Sequence, residues 1–168
     1  MSKNKKPRKA YRPKERLANP LAYVLEGFRP VTEYSDYLAD LKIKNHLAMK
    51  LLLQGKANKI DMDTLIAMSN IVEALQQMGF GVDYKDVSTE GRYAILSIVW
   101  RATEKLRFVP TGPEITALNT LMELHDAQME VVTVGDIETA IAKAKMLIRR
   151  GMAVQLPKVP PNLKDPQA

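Results

Sequence analysis

At 168 residues, with 46% apolar side chains, the chain has the length and composition of one globular domain with a sizeable core. It has no cysteine, which excludes disulfides, thiolate nucleophiles, zinc–cysteine sites and iron–sulfur clusters. The net charge of +6 is uneven: residues 1–16 hold eight bases against Glu15, a net +7, and the other 17 bases and 18 acids leave −1.

The basic segment comprises Lys3, Lys5, Lys6, Arg8, Lys9, Arg12, Lys14 and Arg16. Ala10 and Tyr11 are its only candidates for burial, and Pro7 and Pro13 interrupt a helix. Like charges this dense repel, so the spacing predicts an extended arm. Such arms bind polyanions by releasing condensed counterions; eight phosphate contacts would give a slope of log K on log salt of about −7. Tyr11, between Lys9 and Arg12, could stack on an exposed base. The expected partner is therefore nucleic acid, DNA or RNA, bound largely without sequence preference. An acidic protein or lipid surface, a nuclear import signal and a solubility tail fit the same charge pattern.

No secretory signal is expected, because Asn19 and Pro20 interrupt the apolar run after the bases. Ser2 in place of Gly gives no myristoylation signal. No stretch has the roughly 18–20 apolar residues of a membrane span.

In chain order, Asn19-Pro20 predicts a short helix over 20–26, closed by Gly27 and followed by an extended Arg29-Pro30. A long helix is expected over 32–54, stopped by Gly55, with Tyr34, Leu38, Leu41, Ala48 and Leu52 on one face and Asn45 interrupting it. A second begins at Asp61 as N-cap, with Ile60 and Leu65 as a hydrophobic staple. Leu65, Met68, Val72 and Leu75 form its stripe, widened by Ile71, Ala74 and Met78, and Gly79-Phe80-Gly81 closes it.

A third helix follows Asp83 to about Phe108, with Val87, Ala94, Ile95, Ile98, Ala102 and Leu106 inward. Gly91 weakens its middle, and a break near 88–91 is the alternative. Tyr93, Leu96 and Trp100 lie on another side, which predicts cover on two faces. Thr111 and Glu114 form a capping box for a fourth helix carrying Ile115, Leu118, Met122 and Met129. Thr133 and Asp136 open a fifth, along which Ile137, Ile141, Ala144 and Ile148 align, with Gly151 at its end. Pro157, Pro160, Pro161 and Pro166 predict an extended tail. The expected fold is all-α: an antiparallel bundle of four to five helices over 17–152, with an extended basic arm at 1–16 and a Pro-rich tail at 153–168.

Chemistry is sparse. His46 and His125 fall on different helices, and no Glu-x-x-His or His-Glu-x-x-His spacing occurs. His125 sits in the apolar register between Met122 and Met129, as a hydrogen-bonded core or edge residue does, with Glu123 and Asp126 directed to other sides. Asn45-His46 reads as a register-setting polar pair, with contact to a ligand as the lesser alternative. Gly79-x-Gly81 lacks the context of a phosphate loop, and Asp61-x-Asp63 lacks the glycine of a calcium loop. A helix-turn-helix over the second and third helices is opposed by the mixed charge of Tyr84, Lys85 and Asp86. No catalytic residue, metal ligand or cofactor is expected.

The opening Lys6-Pro7-Arg8-Lys9-Ala10-Tyr11-Arg12-Pro13-Lys14, together with Leu121-Met122-Glu123-Leu124-His125-Asp126-Ala127-Gln128, resembles small proteins carried by bacterial phages and prophages. The resemblance implies a mobile-element context and a bacterial host cytoplasm, and it transfers no active site. A non-enzymatic accessory protein follows, in which the arm holds nucleic acid and the helical body associates with itself or another protein. A host-directed module that inhibits a bacterial defence or replication enzyme, and a minor virion component, are the competing expectations.

Overall fold

The computed structural model describes residues 28–30, 35–105, 107–151 and 153. The expected arm at 1–16, the short helix at 20–26 and the prolines of the tail lie outside these residues. The described chain is helical: α1 (Ser35–Leu53), α2 (Lys59–Gln76), a 3-10 turn (Val82–Tyr84), α3 (Lys85–Lys105), α4 (Gly112–Val131) and α5 (Val134–Arg149). No strand occurs among the described residues; Pro30 and Thr133 form one isolated antiparallel bridge. No described helix is long and apolar enough to cross a membrane.

α2 is the hub, touching each of the other four helices. Its expected stripe of Leu65, Met68, Val72 and Leu75 is buried, but Met62, Ile66, Ser69, Asn70, Ala74 and Gln76 are buried as well. Burial on nearly all sides is what distinguishes a central helix from a surface one. One core gathers Ala48, Met49 and Leu52 of α1 with α2, Ile95 and Ile98 of α3, and Leu118 and Leu121 of α4. A second joins Ala74 and Leu75 to Met129, Val132, Ile137 and Ala140, seating α5 against α2.

The start of α2 differs from expectation. Asn58, not Asp61, is the N-cap: its side chain accepts from the N–H groups of Ile60 at 2.7 Å and Asp61 at 3.2 Å. Asp61 returns the bond by accepting from the Asn58 N–H at 2.8 Å. The cap therefore lies three residues earlier, and the staple fails because Ile60 is 74% exposed. Ala57 and Met62 occupy the two staple positions instead, both against the same core.

The other local signals hold. Glu114 accepts from the Thr111 N–H at 2.8 Å, and Thr133 and Asp136 cap α5 reciprocally. Gly55, Gly79, Gly81 and Gly151 follow helices with positive φ, the closing conformation that favours glycine.

α3 runs unbroken through Gly91, as expected, but it ends at Lys105, short of Phe108, and a 3-10 turn over Val82–Tyr84 precedes it. Gly91 is buried against α4, where a Cβ would meet Leu121 at 2.7 Å, so the glycine permits close approach. Of its second side, Leu96 is half-buried against the core, but Trp100 and Tyr93 are uncovered, 71% and 66% exposed. α3 and α4 run antiparallel, since Gly81 abuts Leu124, Gly91 abuts Leu121 and Arg101 pairs with Glu114.

Candidate functional site

The residues singled out for polyanion contact, Lys3, Lys5, Lys6, Arg8, Lys9, Tyr11, Arg12, Lys14 and Arg16, all lie outside the described residues. The point at which the described chain begins is defined. The Val134 N–H donates to Arg29 O at 3.0 Å beside the Pro30–Thr133 bridge, so the chain leading from residue 27 meets the body at the α4–α5 corner.

Within the body, the two histidines converge on one carboxylate. His46 of α1 lies 2.9 Å through Nε2 from Asp126 Oδ2 of α4, and His125 Nδ1 lies 3.6 Å from Asp126 Oδ1. His125 holds the Asp126 carboxyl below its ordinary range, with His46 and Lys42 adding to the effect and burial opposing it. The carboxylate is thus the ionised acceptor, and His46 Nε2–H is the donor. Asp126 does not turn away from His125, contrary to the helical-wheel expectation; its side chain bends back toward the neighbouring ring.

His125 is fully buried, and neither ring nitrogen has a hydrogen-bond partner among the described residues. Its 3.6 Å approach to Asp126 is too long for a hydrogen bond. Asn45, one residue before His46, is buried as expected, but its Nδ2 also lacks a partner there. Gln128, one turn after His125, is better served: its Nε2 donates to Phe80 O at 2.9 Å and Val72 O at 3.3 Å, tying α4 to the end of α2.

A His–Asp pair can orient a general base. No described hydroxyl is hydrogen-bonded to His46, and no three His, Asp or Glu side chains among the described residues gather to hold a metal ion. The arrangement acts as a polar clasp between α1 and α4. Nothing in sequence could have paired residues 46 and 126; their contact is wholly tertiary.

Two further ion pairs tie helices together. Arg92 of α3 reaches Glu73 of α2. Arg101 of α3 donates through Nη1 to Glu114 Oε1 at 2.7 Å and through Nη2 to Val109 O at 3.1 Å, with a second bond to the same carboxylate. These bonds hold Glu114 below the ordinary carboxyl range, chiefly through Arg101.

The outward side of α3 carries Asp86, Glu90, Tyr93, Ser97 and Trp100, all exposed. A helix that reads a DNA groove presents bases and amides, so this face opposes a helix-turn-helix reading. No protein-family model, curated protein or solved structure matches the chain.

Proposed function

We propose that the protein is a non-enzymatic accessory protein of phage or prophage type that acts in a bacterial host cytoplasm. In this reading, residues 1–16 hold DNA or RNA by their charge, and the helices form an antiparallel bundle that mediates self-association or contact with a host protein. The Pro-rich tail at 153–168 is extended. The observation that carries the proposal is the partition of charge: +7 in the first 16 residues and −1 in the rest. A nearly neutral body has little long-range attraction for phosphate, whereas eight clustered bases release counterions together.

The test is a salt titration of binding to single- and double-stranded DNA and RNA. It compares the full chain with a full chain whose eight bases in 1–16 are replaced by Gln. Neutralisation is expected to abolish binding and leave helical circular dichroism unchanged. Persistent binding with an unaltered salt slope defeats the proposal. Stoichiometric capture of one host protein from nuclease-treated lysate by the neutralised chain would point instead to the host-directed reading.

A further inference from the structure

α3 turns one side away from every helix it touches. At about 100° per residue, Asp86, Glu90, Tyr93, Ser97 and Trp100 fall on one narrow stripe, opposite the buried Ile95, Ile98 and Ala102. The carboxylates stand at the N-terminal end, and two open aromatic rings stand about 10 Å apart toward the other end. Lys85 is exposed beside Asp86. The two guanidinium groups flanking the stripe are tied to Glu73 and Glu114.

Open aromatic faces attract Lys and Arg cations through the ring quadrupole, and the nearby carboxylates add Coulomb attraction. The same chain supplies a matching ligand: eight bases with two prolines in residues 1–16. Reach is sufficient. The described chain begins at Phe28–Pro30 on the α4–α5 corner. The 3-10 turn that opens α3 lies at the same end of the molecule, because the C-terminal part of α4 contacts Phe80 and Gly81 there. From Arg16 to Phe28 the chain spans up to about 40 Å, and from Asp86 to Trp100 the helix rises about 21 Å.

We infer that residues 1–16 fold back onto the α3 stripe, with cations against Asp86 and Glu90 and over Tyr93 and Trp100. The arm then alternates between its own body and a polyanion. The competition, though not the docking, rests on the proposed function.

Trp100 is the chain's single tryptophan, so its fluorescence reports on the stripe alone. Acrylamide quenching is compared at low salt in three full-length proteins: wild type, the chain with eight Gln in 1–16, and Asp86→Asn/Glu90→Gln. Both variants are expected to be quenched about twice as efficiently as wild type, and high salt should bring wild type to their level by screening the contact. Equal quenching in all three overturns the inference, as does wild-type quenching that changes with protein concentration, the signature of an arm from a second copy.

A second readout is affinity for a single-stranded oligonucleotide. If half to two-thirds of molecules hold the arm docked, Asp86→Asn/Glu90→Gln raises the affinity about two- to three-fold. The control Asp40→Asn/Asp63→Asn, on exposed acids of α1 and α2, should leave it unchanged. An equal rise in the control assigns the effect to net charge and overturns the inference. Loss of oligonucleotide binding on neutralising the arm, with quenching equal throughout, sinks the docking alone; binding that survives neutralisation sinks the proposed function.

Discussion

Gly91 of α3 lies so close to Leu121 of α4 that an added Cβ would sit 2.7 Å from Leu121 Cδ2 and 2.9 Å from its Cβ. Helix propensity alone favours alanine there by about 1 kcal/mol. Leu121 is fully buried, so relieving the clash means separating α3 from α4, and overpacking of this kind costs typically about 1–3 kcal/mol. Gly91→Ala is therefore expected to lower the urea midpoint without changing the slope of the transition. In a Leu121→Ala background the same change becomes neutral or stabilising. A raised midpoint for Gly91→Ala alone would show that the helices separate at no cost.

The start of α2 sets Asn58, whose side chain caps the helix, against Ile60, which stands clear of the core. Asn58 accepts two backbone N–H bonds, so Asn58→Ala should cost about 1 kcal/mol. Ile60 is three-quarters exposed, so Ile60→Ser should stay within about 0.5 kcal/mol of wild type. Denaturation of the two variants checks the assignment, and the reverse ranking would restore the staple at Ile60.

Arg101 and Glu114 give a pH signature. Glu114 is largely buried, accepts from Arg101 and from the Thr111 N–H, and has its acidity strengthened chiefly by Arg101. A carboxyl whose pKa is lowered on folding contributes stability that is fully present above its ordinary value and is lost as pH falls through the folded value. Glu114→Gln should therefore cost about 1–2 kcal/mol at neutral pH, and the gap to wild type should close in acid. A gap independent of pH would mean that the charge is not what stabilises the contact.

The legible parts of this fold are those set within four residues. Thr111 with Glu114 and Thr133 with Asp136 cap their helices as spacing dictates, and the glycines close them. Asn58 was obscured because Asp61 is a good cap in its own right, while the real box places it at the third helical position, where acids are equally at home. Apolar periodicity also cannot count how many neighbours a helix has. Trp100 and Tyr93 read as a second buried side, and only the packing of α3 on α2 and α4 leaves them open. The meeting of His46 with Asp126 spans 80 positions and leaves no local trace. The charge of the arm is plain in the sequence; where the arm rests is a tertiary matter.

His125 offers the sharpest test of the polar clasp. Its ring is fully buried, with neither nitrogen hydrogen-bonded among the described residues. A buried polar group without a partner costs roughly 1–3 kcal/mol by mutational measures, and replacing it with an apolar side chain of similar size is neutral or stabilising. Against this stands the lost approach of His125 to Asp126, which at 3.6 Å is too long for a hydrogen bond but favours the charged carboxylate; Asp126 keeps its bond to His46. The desolvation cost of two unpartnered ring nitrogens is the larger effect, so His125→Leu is expected to raise stability by about 1 kcal/mol. Asp126→Asn should act oppositely, because it weakens the link to α1; the loss should be greatest above the ordinary carboxyl range and fade in acid, since the Asp126 pKa is lowered in the fold. Urea titrations at several pH values decide both. A His125→Leu protein less stable than wild type by more than about 1 kcal/mol would show that the ring supports the core and does not burden it.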